Sequence, residues 1–177
     1  MTFEEDLKFS TSKTVEGTLD KIYRSYFNNI DTIKKIERTT DMKRQRAGVD
    51  TVLTLSSGEQ IIVQEKWRRG RKFTGDFLIE YCSVWKKNDC QKYGWIYTID
   101  SDYIFTVYEA SKLVKIYPVV QLKLAWENNC VEWIKKYGNE TYKNVGYITK
   151  FVTVPTDELE REITKVMKFE YQQKLDI

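Results

Sequence analysis

The chain has 177 residues, a net charge of +3, 31% charged and 14% aromatic residues, including 12 Tyr and 5 Trp, and no His. That length and composition predict one folded domain with a real core rather than a disordered segment. The absence of His excludes Ser-His-Asp and Cys-His catalysis and His-dependent nuclease chemistry, leaving carboxylates, Lys, Tyr or a metal ion to carry any hydrolysis.

No apolar run reaches the length of a membrane span, and the opening MTFEEDLKF is acidic rather than signal-like. The expectation is therefore a soluble cytoplasmic protein with no membrane partner. The three cysteines, Cys82, Cys90 and Cys130, form no CxxC pair, so a zinc site is not expected and free thiols are. Charge is uneven: residues 34–72 sum to +6 and the rest of the chain to −3. A local cationic excess is the footprint expected of a protein that meets a polyanion such as nucleic acid.

Taken in order, residues 1–13 carry little pattern and read as a lead-in. Val15, Leu19, Ile22, Tyr23, Tyr26, Phe27 and Ile30 then fall on one face of a helix over Thr14–Ile30, with Ser12 or Thr14 as cap. Glu16 and Asp20 are the acids near its start. Ile33–Thr39 reads as a strand and Thr40–Ala47 as a basic loop. Val49–Leu55 and Gln60–Trp67 are β-rich runs joined by Ser56-Ser57-Gly58, a hairpin pattern. Asp50 opens the first run, and Gln64-Glu65-Lys66 closes the second. Alternation puts Gln64 and Lys66 on one face and Glu65 on the other, unless a β-bulge turns Glu65 in and Gln64 out.

Five cations then fall between Lys66 and Lys72 around Gly70, a composition suited to a loop that approaches phosphates. Trp67, inside this run, suits core packing or stacking on a base. Asp76–Ser83 reads as a strand, or as the start of a helix through Lys86. Glu80 inside it either faces solvent or is a further site carboxylate. Lys86–Lys92 reads as a connector, and Gly94–Asp100, Tyr103–Tyr108 and Leu113–Tyr117 as a three-stranded meander widening the same sheet. Pro118 starts a helix along Leu122, Trp126, Cys130, Trp133 and Tyr137 that stops at Gly138. Tyr147–Val154 reads as a strand, and Asp157 with Glu160 starts a last helix through Met167.

The hairpin, with an Asp entering one strand and an acid-X-Lys position leaving the next, resembles the PD-(D/E)XK nuclease superfamily. Here Gly48-Val49-Asp50 stands for the Pro-Asp step, and Gln64-Glu65-Lys66 places a Gln in the acid position. The resemblance covers about thirty residues. It implies an α/β fold with a mixed central sheet flanked by helices, a restriction-endonuclease-like core. It implies a Mg²⁺-dependent DNA endonuclease, with Mn²⁺ able to substitute. Catalytic residues would be Asp50, Gln64, Lys66 and Glu16, and metal ligands Asp50, Glu16, Gln64 or Glu65.

The cationic residues Lys43, Arg44, Arg46, Arg68, Arg69, Arg71 and Lys72 would contact DNA. A homodimer or higher homo-oligomer would suit cutting of both strands. The Lys-, Asn-, Ile- and Tyr-rich composition fits an AT-rich phage or mobile-element source. The alternatives are a catalytically inactive nucleic-acid-binding module and a viral protein-interaction domain.

Overall fold

The computed structural model describes residues 13–28, 30–68, 72–138 and 140–173. The expected lead-in at residues 1–12, together with Arg69, Gly70 and Arg71, lies outside the described residues. The elements run α1 (Lys13–Phe27), β1 (Ile33–Arg38), α2 (Met42–Arg46), β2 (Thr51–Leu55), β3 (Gln60–Arg68), β4 (Asp76–Lys86) and β5 (Asp89–Tyr93). They continue as α3 (Trp95–Thr98), β6 (Tyr103–Tyr108), β7 (Leu113–Pro118), α4 (Val119–Tyr137), β8 (Glu140–Asn144), β9 (Tyr147–Pro155) and α5 (Thr156–Gln173).

Two sheets form where one was expected. The first has five strands in the order β1-β2-β3-β6-β7, and the second has four in the order β5-β4-β9-β8. The hairpin β2–β3 is antiparallel, with Thr51 opposite Val63 and Thr54 opposite Gln60. β3 then pairs in parallel with β6, Gln64 opposite Ile104 and Lys66 opposite Thr106. Parallel neighbours need a long crossover, and here β4, β5 and α3 supply it. The result is a mixed α/β fold with two sheets flanked by helices.

Period-two alternation on β3 and β6 assigns the two faces of the first sheet. Val63, Phe105 and Val107 point to α1 and meet Leu19, Tyr23 and Phe27, forming one core cluster with Ile33, Leu53 and Leu55. Tyr23 and Phe27 meet Phe105 and Tyr103 edge-on, the geometry ring quadrupoles favour. On the opposite face Ile104 joins a second cluster. Phe77, Ile79, Val152 and Val154 of the second sheet, Ile96, and Trp126, Trp133 and Leu159 from α4 and α5 build it.

Several local expectations change. Gly94–Asp100 is not a strand: Trp95–Thr98 is one helical turn begun at Gly94. The cause is a close crossing. A Cβ on Gly94 would stand 2.1 Å from the Glu80 carbonyl oxygen, so the chain passes directly over β4 there and turns away. Gly94→Ala should therefore cost about 3 kcal/mol or more, read as the shift in urea midpoint, because backbone rather than a side chain must yield.

Lys86–Lys92 is not a connector but the tight β4–β5 hairpin, turning at Lys87 and Asn88 with φ of 51° and 62°. Thr40–Ala47 is not a loop throughout, since Asp41 caps the short helix α2 through the Lys43 N–H at 2.8 Å. Cys82 and Cys90, expected as free thiols, form a disulfide that ties β4 to β5, while Cys130 is free. No described helix is long and apolar enough to cross a membrane.

Candidate active site at the β2–β3 hairpin

Asp50 stands just before β2, where its N–H donates to the Val63 carbonyl and its carbonyl accepts from Thr39 N–H. These bonds fix it beside the end of β3. Its Oδ2 accepts the Glu65 backbone N–H at 2.7 Å. Burial pushes the Asp50 carboxyl up to about 6, aided by the Glu65 carboxylate and opposed by that N–H, Lys66 and Arg38.

Lys66 lies on the sheet face opposite α1. Its Nζ sits over the Trp95 ring, 4.2 Å from the centroid. Trp95 is positioned by the crossing at Gly94, so the residue misread as strand is the platform under the lysine. Burial pulls Lys66 down to about 8, with Arg68 adding to this and Glu80 and Asp50 opposing it. Asp50 and Lys66 therefore feel each other's charge across the hairpin. Glu80, on β4, approaches the same ammonium from the second sheet. Its Oε1 accepts from Ser83 Oγ.

Gln64 shares the face of Lys66. Its Oε1 is buried with no hydrogen-bond partner. Its amide lies 3.2 Å from where a Cβ on Gly48 would stand, and Gly48 adopts φ +82°. Both the backbone conformation and the close approach call for glycine there. Burying an amide oxygen without a partner costs free energy, so it is a site poised to accept a donor or a cation.

Glu65 faces the other way. Its Oε1 accepts from Tyr23 Oη, Arg38 Nη1 at 2.8 Å and Thr51 Oγ1, and Arg38 Nη2 also holds Asp20 at 2.6 Å. No register shift interrupts the β3–β6 pairing through Gln64, Glu65 and Lys66 that sets this orientation. Asp20 is thus tied to Arg38, and the Glu16 side chain lies outside the described residues.

Of the expected DNA contacts, Lys43, Arg44 and Arg46 are exposed on α2, Lys72 is exposed, and Arg68 is partly buried near Lys66 and Tyr108. Arg69 and Arg71 lie outside the described residues. Trp67 packs against the α1-side core.

Mg²⁺ prefers hard oxygens and keeps several waters, so one or two carboxylates with neutral oxygens suffice to hold it. Among the described residues no group of three or more His, Cys, Asp or Glu converges. The Asp50 carboxylate and the Gln64 oxygen, which has no hydrogen-bond partner, are the donor types that this lighter requirement takes.

The perturbed ionisations give a stability signature in metal-free buffer. Asp50 is held above its ordinary 3.8, so the fold disfavours its charged form and loses stability as pH rises from about 4 through 6. Lys66 is held below its ordinary 10.5, so stability is regained as pH rises from about 8 to 10.5. Asp50→Asn should remove the lower limb and gain about 2 kcal/mol at pH 7 in urea titrations. A wild-type and Asn pair with parallel pH curves would contradict this.

No protein-family model, no characterised protein and no solved structure matches the chain.

Proposed function

We propose that this chain is a Mg²⁺-dependent DNA endonuclease with a variant PD-(D/E)XK site on a restriction-endonuclease-like core. The observation that carries the reading is the Asp50–Lys66 pair. A half-buried acid and a half-buried ammonium from adjacent strand ends share one electrostatic neighbourhood, next to an amide oxygen with no partner. Strongly shifted ionisable groups gathered in one place are more common at sites of chemistry than elsewhere. The mixed sheet, with this hairpin at its centre and α1 on one face, supports the same reading.

Asp50 and Gln64 would hold the ion, with Glu16 joining if the resemblance extends to α1. Bound there, Mg²⁺ supplies Lewis acidity and a more acidic water. Lys66 does the rest from the chain's own side. As an ammonium over Trp95 it holds a non-bridging phosphate oxygen as a point charge. Lys43, Arg44 and Arg46, just ahead of Asp50, offer charge to the flanking backbone.

The test is cleavage of duplex, single-stranded and branched DNA with Mg²⁺ or Mn²⁺ against an EDTA control. Metal-dependent products are expected, and none on any substrate would sink the proposal. A second reading, a nucleic-acid-binding module without hydrolysis, is favoured by the neutral Gln64 in the acid position. Salt-sensitive DNA binding unaffected by metal, with no cleavage, would select it.

A further inference from the structure

The second sheet ends in a cationic cleft far along β4 from Lys66. β4 and β9 are antiparallel neighbours, with Trp85 opposite Ile148, so the β4–β5 and β8–β9 turns emerge side by side. Between them lies a cleft of about 640 Å³ lined by Trp85, Lys86, Lys87, Lys143, Tyr147 and neighbouring turn residues, with no acid in its lining.

Its lysines are not neutralised by carboxylates. None of Lys86, Lys87 and Lys143, nor Lys150 outside the lining, is in an ion pair among the described residues. Two rest on rings instead: Lys150 Nζ is 3.2 Å from the Trp85 centroid and Lys86 Nζ 5.8 Å from that of Tyr147. Asp89, opposite Lys86 in the hairpin, spends its carboxylate on Cys90 N–H at 2.8 Å and Gln91 Nε2 at 3.2 Å. Three lysines without an ion-pair partner therefore line one cleft, a concentration of positive charge that favours an anion there.

We propose that this cleft binds single-stranded nucleic acid, with Lys86, Lys87 and Lys143 on phosphates and a base against Trp85 or Tyr147. Interleaved lysines and aromatic faces are the chemistry that holds a single strand: charge follows the backbone and rings accept bases of any sequence. The two-residue turns make narrow fingertips, and Val145 at one tip is wholly exposed. Glu80 and Trp85 are five residues apart on β4, roughly 17 Å. This inference rests on the nucleic-acid reading above, not on hydrolysis.

The test is fluorescence anisotropy of a labelled single-stranded 20-mer with the full chain in EDTA, at several salt concentrations. Lys86→Ala/Lys87→Ala/Lys143→Ala should weaken binding about tenfold. Its log–log salt slope should fall by about 2, three contacts at ~0.7 each. Tyr147→Ala should weaken binding about tenfold with the slope unchanged. Lys87→Glu alone, at an exposed turn, keeps the test independent of folding and should also weaken binding.

A control triple, Lys21→Ala/Lys135→Ala/Lys165→Ala, should change little. Cleft variants that bind like the wild type or like the control overturn the proposal. So does loss of duplex binding with single-strand binding intact, or equal affinity for poly-glutamate. Because binding is read without metal, cleavage by a protein whose cleft variants bind normally would sink this inference alone. Cleft-dependent binding without cleavage would sink only the nuclease.

Discussion

Asp50→Asn, which keeps an acceptor for the Glu65 N–H, and Lys66→Met should each lower metal-dependent DNA cleavage by about 10²–10³-fold while making the protein harder to unfold. The two effects run in opposite directions because the two groups are held against their preferences. Burial pushes Asp50 up to about 6 and pulls Lys66 down to about 8, so each charged form is a cost the fold bears at neutral pH. Each shift is about two units at ~1.4 kcal/mol per unit, and a discount for solvent relaxation leaves about 2 kcal/mol. Met keeps the length of the lysine stem over Trp95, and an apolar replacement of a buried charge is commonly tolerated or stabilising.

Lys66→Arg should not restore cleavage, because a flat fork cannot take the place of a point charge seated on a ring. Activity should follow a bell between about pH 6 and 8, rising as Asp50 ionises and falling as Lys66 loses its proton. Kinetics and urea titration on the same preparations check both halves. A variant that loses activity and stability together would mean the site was merely disrupted.

Glu65→Ala should produce the opposite pairing, a large loss of stability whose first cause is not chemical. One oxygen of Glu65 accepts from Tyr23, Arg38 and Thr51, and Arg38 bridges on to Asp20 of α1. The ion pair is well buried, with side-chain exposures of 23% for Arg38 and 17% for Glu65, so solvent screens it only in part. Removing the carboxylate takes the acceptor from the buried Tyr23 phenol and leaves Arg38 held by Asp20 and Thr51, a change of about 3 kcal/mol. Glu65→Gln keeps an acceptor and should cost about 1–2 kcal/mol. A Glu65→Ala protein as stable as wild type would show that α1 is held by its apolar face alone.

The hairpin was legible because both its strands are β-rich and its turn is glycine-bearing. α1, α4 and α5 were legible because their apolar spacing is helical. Alternation alone separated Gln64 and Lys66 from Glu65, and the structure places them on opposite faces. The second sheet was not legible. β8, ETYKN, is a polar edge strand without alternation, and β5, DCQKY, is equally polar. Trp95–Thr98 is too short to display a helical period, and its residues are strand formers in isolation. What turns the chain there is the approach of Gly94 to β4, a tertiary fact.

For the same reason the lysine's platform, Trp95, and its second acidic neighbour, Glu80, could not be tied to Lys66 from spacing. Nor could the parallel β3–β6 pairing, which depends on where a long crossover returns. Asp41 did carry a readable signal, a helix cap before MKRQR, that the density of basic residues obscured.

The most direct measurement is anomalous diffraction from crystals of the full chain soaked in Mn²⁺. One peak is expected, bound by an Asp50 carboxylate oxygen and the Gln64 amide oxygen at about 2.1 Å, with Lys66 beside it. Crystals that take up Mn²⁺ elsewhere, or none at millimolar concentration with Asp50 and Gln64 ordered, would contradict it.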